Sequence, residues 1–455
     1  MMKKLAALFL SLLLIVSLIG TTAYAEDPVT LNFWGWGFEW EGYTDNFKAN
    51  YPDEAIDFNH VTFNADEIQV PLDLALADPD SDEYPDLFCA EAGFVRKYIE
   101  SDKTMDLGEL FGGKDVLMAA LEESGVDQYL VGIGTDNEGR IKGLCFQNVA
   151  NTLFYRRSAV LKYLGTDDPD EIYEKYCKDP DTFINTCIAI TEKSGGKVAG
   201  ISSYEDISHG YRMFMDSYAI VDGKFVLQDA YLRCLTDLQT LEDAKAVNGT
   251  GCFGESWYQD VQNVSEKPAV FFPGSPWKMG VLMSANIGET SGDWAATVSP
   301  YQNTQGGTWL CIGKDTKYPE AAKRFMEYWA LDTTEKGQYQ LVANNGDCPA
   351  SAAVIKRISD AGFAYDICAG QNTLAVYSKC AAAIGADSPA IKYYDTVSNS
   401  IFGTLAGVAK SMTQGKVDGL EGALAQLCSI MQESYNCDIP DANEIHTFVE
   451  AYLAK

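Results

Sequence analysis

The sequence predicts an α/β protein of two domains, and three observations carry that expectation. Strand-like and helix-like apolar patterns alternate from residue 29 to residue 89. The chain has 455 residues, more than one domain usually holds. Its content of 47% apolar and 12% aromatic residues supplies complete hydrophobic cores, so long disordered stretches are not expected.

The first 25 residues read as an export leader. Lys3 and Lys4 precede an apolar run from Leu5 to Ile19, and Ala23-Tyr24-Ala25 stands directly before Glu26-Asp27-Pro28. This is the charged, apolar and small-residue order of a signal peptide. The run is short of the about twenty residues that span a bilayer. Leu18-Ile19-Gly20 resembles the start of a lipoprotein box, but Thr21 occupies the place of the lipid-bearing Cys. The expectation is cleavage after Ala25 and a soluble, unanchored mature protein.

Val29 to Trp34 alternates apolar and polar residues, as a half-buried strand does, and runs into the loop Trp34-Gly35-Trp36-Gly37. Trp40, Tyr43, Phe47 and Tyr51 recur at helical spacing until Pro52. Ile56–Phe63 is a second strand, residues 68–78 carry a helical face, and Pro85–Cys89 is a third, buried strand. Such alternation is the mark of a parallel sheet covered by helices. Farther on, strands are expected at Ile141–Phe146, Val198–Ile201 and Ala269–Phe272. Asp222-Gly223 suits a type I′ hairpin turn. Pro319 opens a helix with Phe325, Met326 and Trp329 on one face, and Leu420, Leu424, Leu427, Cys428 and Met431 mark another near the end. No floppy linker separates two domains, so the chain must cross between them through strands.

Acidic residues number 65 against 34 basic ones, a net charge of −31. Such a surface repels nucleic acid and anionic membranes, and no nucleic-acid partner is expected. Its plain meaning is solubility. Twelve cysteines are scattered without a C-x-x-C pair, and three histidines are too few for zinc-site spacing, so neither metal nor cofactor is expected. Cys89 and Cys145 sit in apolar runs and read as buried thiols. Whether other cysteines form a disulfide is left open by the sequence.

The order of segments resembles the extracellular solute-binding proteins of carbohydrate-type ABC importers, family 1, which are similar to maltose-binding protein. Six segments carry it: Leu31–Gly35; Tyr84–Phe88; Gly143–Arg156; Lys267–Trp277; Gly306–Thr308 with Trp309, Ile312–Lys314 and the helix after Pro319; and Gly415–Tyr435. The resemblance implies two α/β lobes joined by crossing strands, with ligand held between them. The expected division is 26–143 plus 289–344 for one lobe and 144–288 plus 345–455 for the other. It also implies a small-molecule ligand of sugar type, permease subunits of an importer as partners, and a monomer that is not an enzyme.

A sugar presents C–H faces to aromatic rings and hydroxyls to fixed donors and acceptors. The candidate ligand-binding residues are therefore Trp34, Trp36 and Glu39 in the first loop and Glu91 at the end of the third strand. Gln147, Asn148 and Asn151 follow the 141–146 strand, and Tyr204 follows 198–201. Trp277 in Gly274-Ser275-Pro276-Trp277 is the leading stacking candidate, with Trp309, Asn345 and Asp347 completing the set. Core packing is the rival role for each Trp, and helix capping for each amide. Other readings are the same fold holding a polyamine or, from Tyr393-Tyr394, a ferric ion; a secreted glycoside hydrolase; and an adhesin. No catalytic signature supports the hydrolase.

Overall fold

The computed structural model describes residues 28–36, 39–65, 67–345, 347–385 and 388–455, and of residues 39, 344 and 345 the backbone alone. The leader read at residues 1–25 lies outside them. Among the described residues no helix is long and apolar enough to cross a membrane.

The described residues form eleven strands: β1 (Val29–Trp36), β2 (Ile56–Phe63), β3 (Leu87–Glu91), β4 (Gly143–Cys145), β5 (Thr152–Arg156), β6 (Ala199–Ile201), β7 (Ile220–Val221), β8 (Lys224–Phe225), β9 (Ala269–Gly274), β10 (Trp294–Val298) and β11 (Thr308–Ile312). The first sheet has the order β2-β1-β3-β11-β4 and the second β10-β5-β9-β6, with β7-β8 a separate hairpin. β1 pairs in parallel with β2 and β3, as the early alternation predicts, whereas β11 runs antiparallel to β3 and β4. In the hairpin Asp222 and Gly223 both have positive φ, 49° and 75°, the backbone a type I′ turn requires.

Both faces of the second sheet are buried, and its residues alternate accordingly. Leu153, Tyr155, Phe271 and Ala295 point into one core, with helices Asp229–Asp243 and Thr396–Thr413. Phe154, Phe272, Trp294 and Ala296 point the other way. Their cluster is continuous with the core of the first sheet around Leu31, Phe33, Phe88 and Leu310.

Three segments cross between the sheets side by side. Asn148 N–H donates to Cys348 O at 2.8 Å and Ala350 N–H to Phe146 O at 2.8 Å. On the other flank Asn151 N–H donates to Asn303 O at 2.9 Å and Gln305 N–H to Val149 O at 3.1 Å. These bonds satisfy backbone groups that would otherwise be buried and unpaired. The division at residue 289 does not follow sheet membership: β10 is hydrogen-bonded to β5 along its length, so residues 294–298 belong with the second sheet. The return crossing lies between Val298 and Thr308.

Candidate functional site

A cleft of about 610 Å³ opens where β1 and β3 end, β11 begins and the crossing segments start. Parallel strands leave their carboxyl ends there, the usual ligand-binding edge of an α/β sheet. Five of the predicted residues meet in it: Trp36, Glu91, Gln147, Trp277 and Asp347.

The first wall is aromatic. Trp36, half-buried at the end of β1, meets Trp40 edge-on at 5.7 Å and Phe94 at 6.1 Å. Trp40 leans on Tyr43 at 5.8 Å, and Tyr43 on Phe146 at 5.4 Å, with Trp329 behind both Tyr43 and Phe146. Edge-to-face contacts of this kind hold each ring in one orientation. Trp40, Tyr43 and Phe146 all line the cleft. Helical periodicity assigns Trp40 and Tyr43 to a core stripe. Their nearness to the Gly35-Trp36 strand end is the signal that the first helical turn also faces the cleft.

Trp277 stands on the second wall, and three contacts fix it. Its Nε1–H donates to Gln305 O at 2.9 Å, which leaves only the ring to meet a solute. The ring lies against Gly306, where a Cβ would come within 3.0 Å of it and where φ is +64°. Ser275 Oγ sits 2.6 Å from Val149 O and 2.8 Å from Gln305 O, tying the Trp277 turn to two crossing segments. Next in sequence, Lys278 is fully buried. Its ammonium donates to Asp206 Oδ1 and to Pro273 O, each at 2.7 Å, and lies over the Trp257 ring. The lysine stem passes so close to Gly274 that a Cβ there would sit 2.2 Å from its Cδ. A π turn from Lys278 to Met283 then presents Gly280, Val281 and Leu282 to the cleft. No period in the sequence announces that turn.

The polar groups lie between the walls. Glu91 accepts the Gly93 N–H, and burial pushes its carboxyl up to about 7 against the pull of the Gly93 and Ala92 amides. Asp347 accepts Gln147 Nε2–H at 2.6 Å and the Cys348 N–H at 2.7 Å, joining two crossing segments at the cleft floor.

The other predicted residues lie elsewhere. Trp34 is buried, stacks on Phe63 at 5.4 Å and donates to Glu83 O at 3.1 Å. Asn148 accepts from Tyr129 Oη–H and the Ala150 N–H, and Asn151 donates to Asn303 Oδ1 at 2.9 Å. Both amides brace the crossing segments instead of lining the cleft. Tyr204 donates to Glu242 Oε2 at 2.7 Å, and Trp309, wholly buried, to Leu130 O at 3.0 Å. The side chains of Glu39 and Asn345 lie outside the described residues. Tyr393 and Tyr394 do not form an iron pair: Tyr394 donates to Ala92 O at 2.8 Å, and Tyr393 packs on Tyr218.

The sequence profile of the bacterial extracellular solute-binding proteins matches residues 42–361. No curated protein matches the chain in sequence. Among solved structures, an extracellular solute-binding protein of family 1 is similar at 15% identity and a TM-score of 0.69, over 88% of this chain and 99% of the other. The galacto-N-biose/lacto-N-biose I-binding protein of an ABC transporter from Bifidobacterium longum follows at 15% identity, TM-score 0.63, covering 91% of this chain and 99% of its own. The sugar-binding protein MalE of Xanthomonas citri gives 14% identity and a TM-score of 0.64, over 89% of this chain and 97% of its own. These likenesses show a shared fold. The profile match over most of the folded chain places the protein in its family: the chain belongs to the bacterial extracellular solute-binding proteins.

Proposed function

We propose that the protein binds a sugar, in particular an oligosaccharide, outside the cytoplasm and delivers it to the permease of an ABC importer. One observation carries the reading. Half-buried rings from two walls, Trp36 and Tyr43 against Trp277, share a cleft with the carboxyls of Glu91 and Asp347 and the amide of Gln147. Rings take the apolar faces of a sugar, and carboxylates and amides take its hydroxyls. The similar proteins from Bifidobacterium and Xanthomonas, described as sugar-binding, favour the same class. Trp36, Glu91, Gln147, Trp277 and Asp347 are the proposed contacts, joined by Tyr43.

In this reading the protein acts by binding and closure, without turnover. Taking β4 and β10 with their sheets, the lobes are residues 26–145 with 308–344, and residues 146–298 with 345–455. A solute touching both walls favours the closed arrangement by its differential affinity. Export through the leader, with cleavage after Ala25 and no lipid anchor, belongs to the same proposal. A thermal-shift screen against mono- and oligosaccharides tests it, because a ligand that binds only the native state raises the melting temperature. A panel with no stabilising sugar would overturn it.

A further inference from the structure

The charges around the cleft narrow the solute further. Among the described residues that line it, Glu91 and Asp347 carry the only formal charges, and both are acidic. No lysine, arginine or histidine lines the cleft there. Two buried cations, Lys278 and Arg212, are already held by other groups of the fold. Lys278, one residue past Trp277, is held by Asp206 and Pro273 O. Arg212 donates to Asn399 Oδ1 and to Thr304 O and Oγ1, each at 2.7 Å, and stacks on Tyr394. Turning either toward a solute would strand its buried partner, a cost of several hydrogen bonds at once.

We infer that the cleft selects uncharged glycans and rejects those bearing carboxylate, sulfate or phosphate. The inference rests on the sugar reading and concerns the same site. An acidic sugar would bring a further negative charge beside Glu91 and Asp347, into a cleft that no cation lines. The hydroxyls of a neutral glycan face no such penalty, because a carboxylate is an acceptor and a hydroxyl can donate to it. The whole-chain charge of −31 adds long-range repulsion of anionic solutes.

The test uses the full mature protein and matched pairs: neutral disaccharides and trisaccharides beside the corresponding galacturonate and glucuronate compounds, titrated by calorimetry at pH 7.5. Each acidic member is expected to bind at least about 100-fold more weakly than its neutral partner, a gap of roughly 2.8 kcal/mol at 1.4 kcal/mol per decade. In Glu91→Gln the gap should shrink. Equal or tighter binding of any acidic member overturns the inference while leaving the sugar reading intact. Silence of every neutral and acidic sugar overturns both. A variant that fails to fold costs nothing, since the wild-type comparison decides alone.

Discussion

Lys278 and Asp206 form an ion pair at 2.7 Å with neither side chain exposed, one residue beyond the tryptophan that walls the cleft. Asp206 also accepts from Trp257 Nε1–H and the Ser203 N–H, so the pair clamps three segments together. Burial opposes the lysine's charge, but the Asp206 carboxylate outweighs it and holds the ammonium above its ordinary value. The pair therefore sets the base on which Trp277 stands.

Removing one partner leaves the other as an uncompensated buried charge. Lys278→Met is expected to cost about 3–5 kcal/mol of folding stability. The double variant Lys278→Met/Asp206→Asn should recover part of it, because Asn keeps an acceptor for Ser203 and Trp257 without the charge. Urea unfolding of the wild type, both single variants and the double closes the cycle. A single variant within about 1 kcal/mol of wild type would show that the pair does not clamp the turn.

Glu91 gives the protein a pH signature. Its folded-state value of about 7 lies above the ordinary 4.5, so the folded state holds a proton that the unfolded state has lost between those values. The stability contributed by that proton is full below pH 4.5, falls as pH rises toward 7, and is flat above. The slope approaches about 1.4 kcal/mol per pH unit for one proton. Asp127, also pushed up to about 7 by burial, adds a slope of the same sign. His209, lowered to about 4 by burial and by Arg212 and Lys278, acts oppositely, losing stability as pH falls from 6.5 to 4. Glu91→Gln should remove only the first of these, raising stability at pH 8 relative to pH 5. Unfolding curves at the two pH values that shift equally for variant and wild type would refute the assignment.

Much of this architecture is legible in the sequence, and the failures have physical causes. The helix stripe ending at Pro52 shows a clean period, because Trp40 and Phe47 bury one face. Strand β10 escapes, being only five residues with two alanines at its centre, although Ser291-Gly292-Asp293 and Ser299-Pro300 bracket it. The helix Thr396–Thr413 is rich in Ser, Thr and Gly, residues of low helix propensity, so it forms because Ile401, Phe402 and Leu405 pack on the second core. In the cleft, Trp36, Glu91, Gln147, Trp277 and Asp347 could be named because they end strands or bracket crossings. Asn148 and Asn151 look the same in sequence as Gln147. Only the third dimension shows that Asn151 Nδ2 is spent on Asn303 of the neighbouring crossing segment, and that Asn148 Oδ1 is taken up by Tyr129 and by the Ala150 N–H of its own segment.

None of the twelve cysteines is in a disulfide; eleven are buried and Cys252 is partly exposed. Burial pushes thiols such as Cys145 and Cys368 up to about 12, so they stay protonated and inert. The native protein should titrate at most one thiol rapidly with an aromatic disulfide reagent, and twelve after denaturation without reductant. A denatured count of ten would reveal a disulfide absent from this structure.

Trp277→Ala should weaken sugar binding far more than it weakens the fold. The indole is half-buried, with its N–H spent on Gln305 O and its ring backed by Gly306, so it meets a solute already ordered and little side-chain entropy is lost on binding. Removing a stacking ring forfeits its apolar area and its ring-specific contact, about 2–4 kcal/mol together. That is roughly a thirty- to thousand-fold loss of affinity. Trp277→Phe keeps a ring but not the anchoring hydrogen bond, and should fall between the two. A fully enclosed tryptophan such as Trp257 behaves differently: there the alanine change should cost about 3–5 kcal/mol of stability through the cavity it leaves. Calorimetric titration beside melting curves separates the two cases. If Trp277→Ala melts as early as Trp257→Ala yet binds sugar with wild-type affinity, Trp277 is a structural residue, and the second wall of the cleft must be sought among Gly280, Val281 and Leu282.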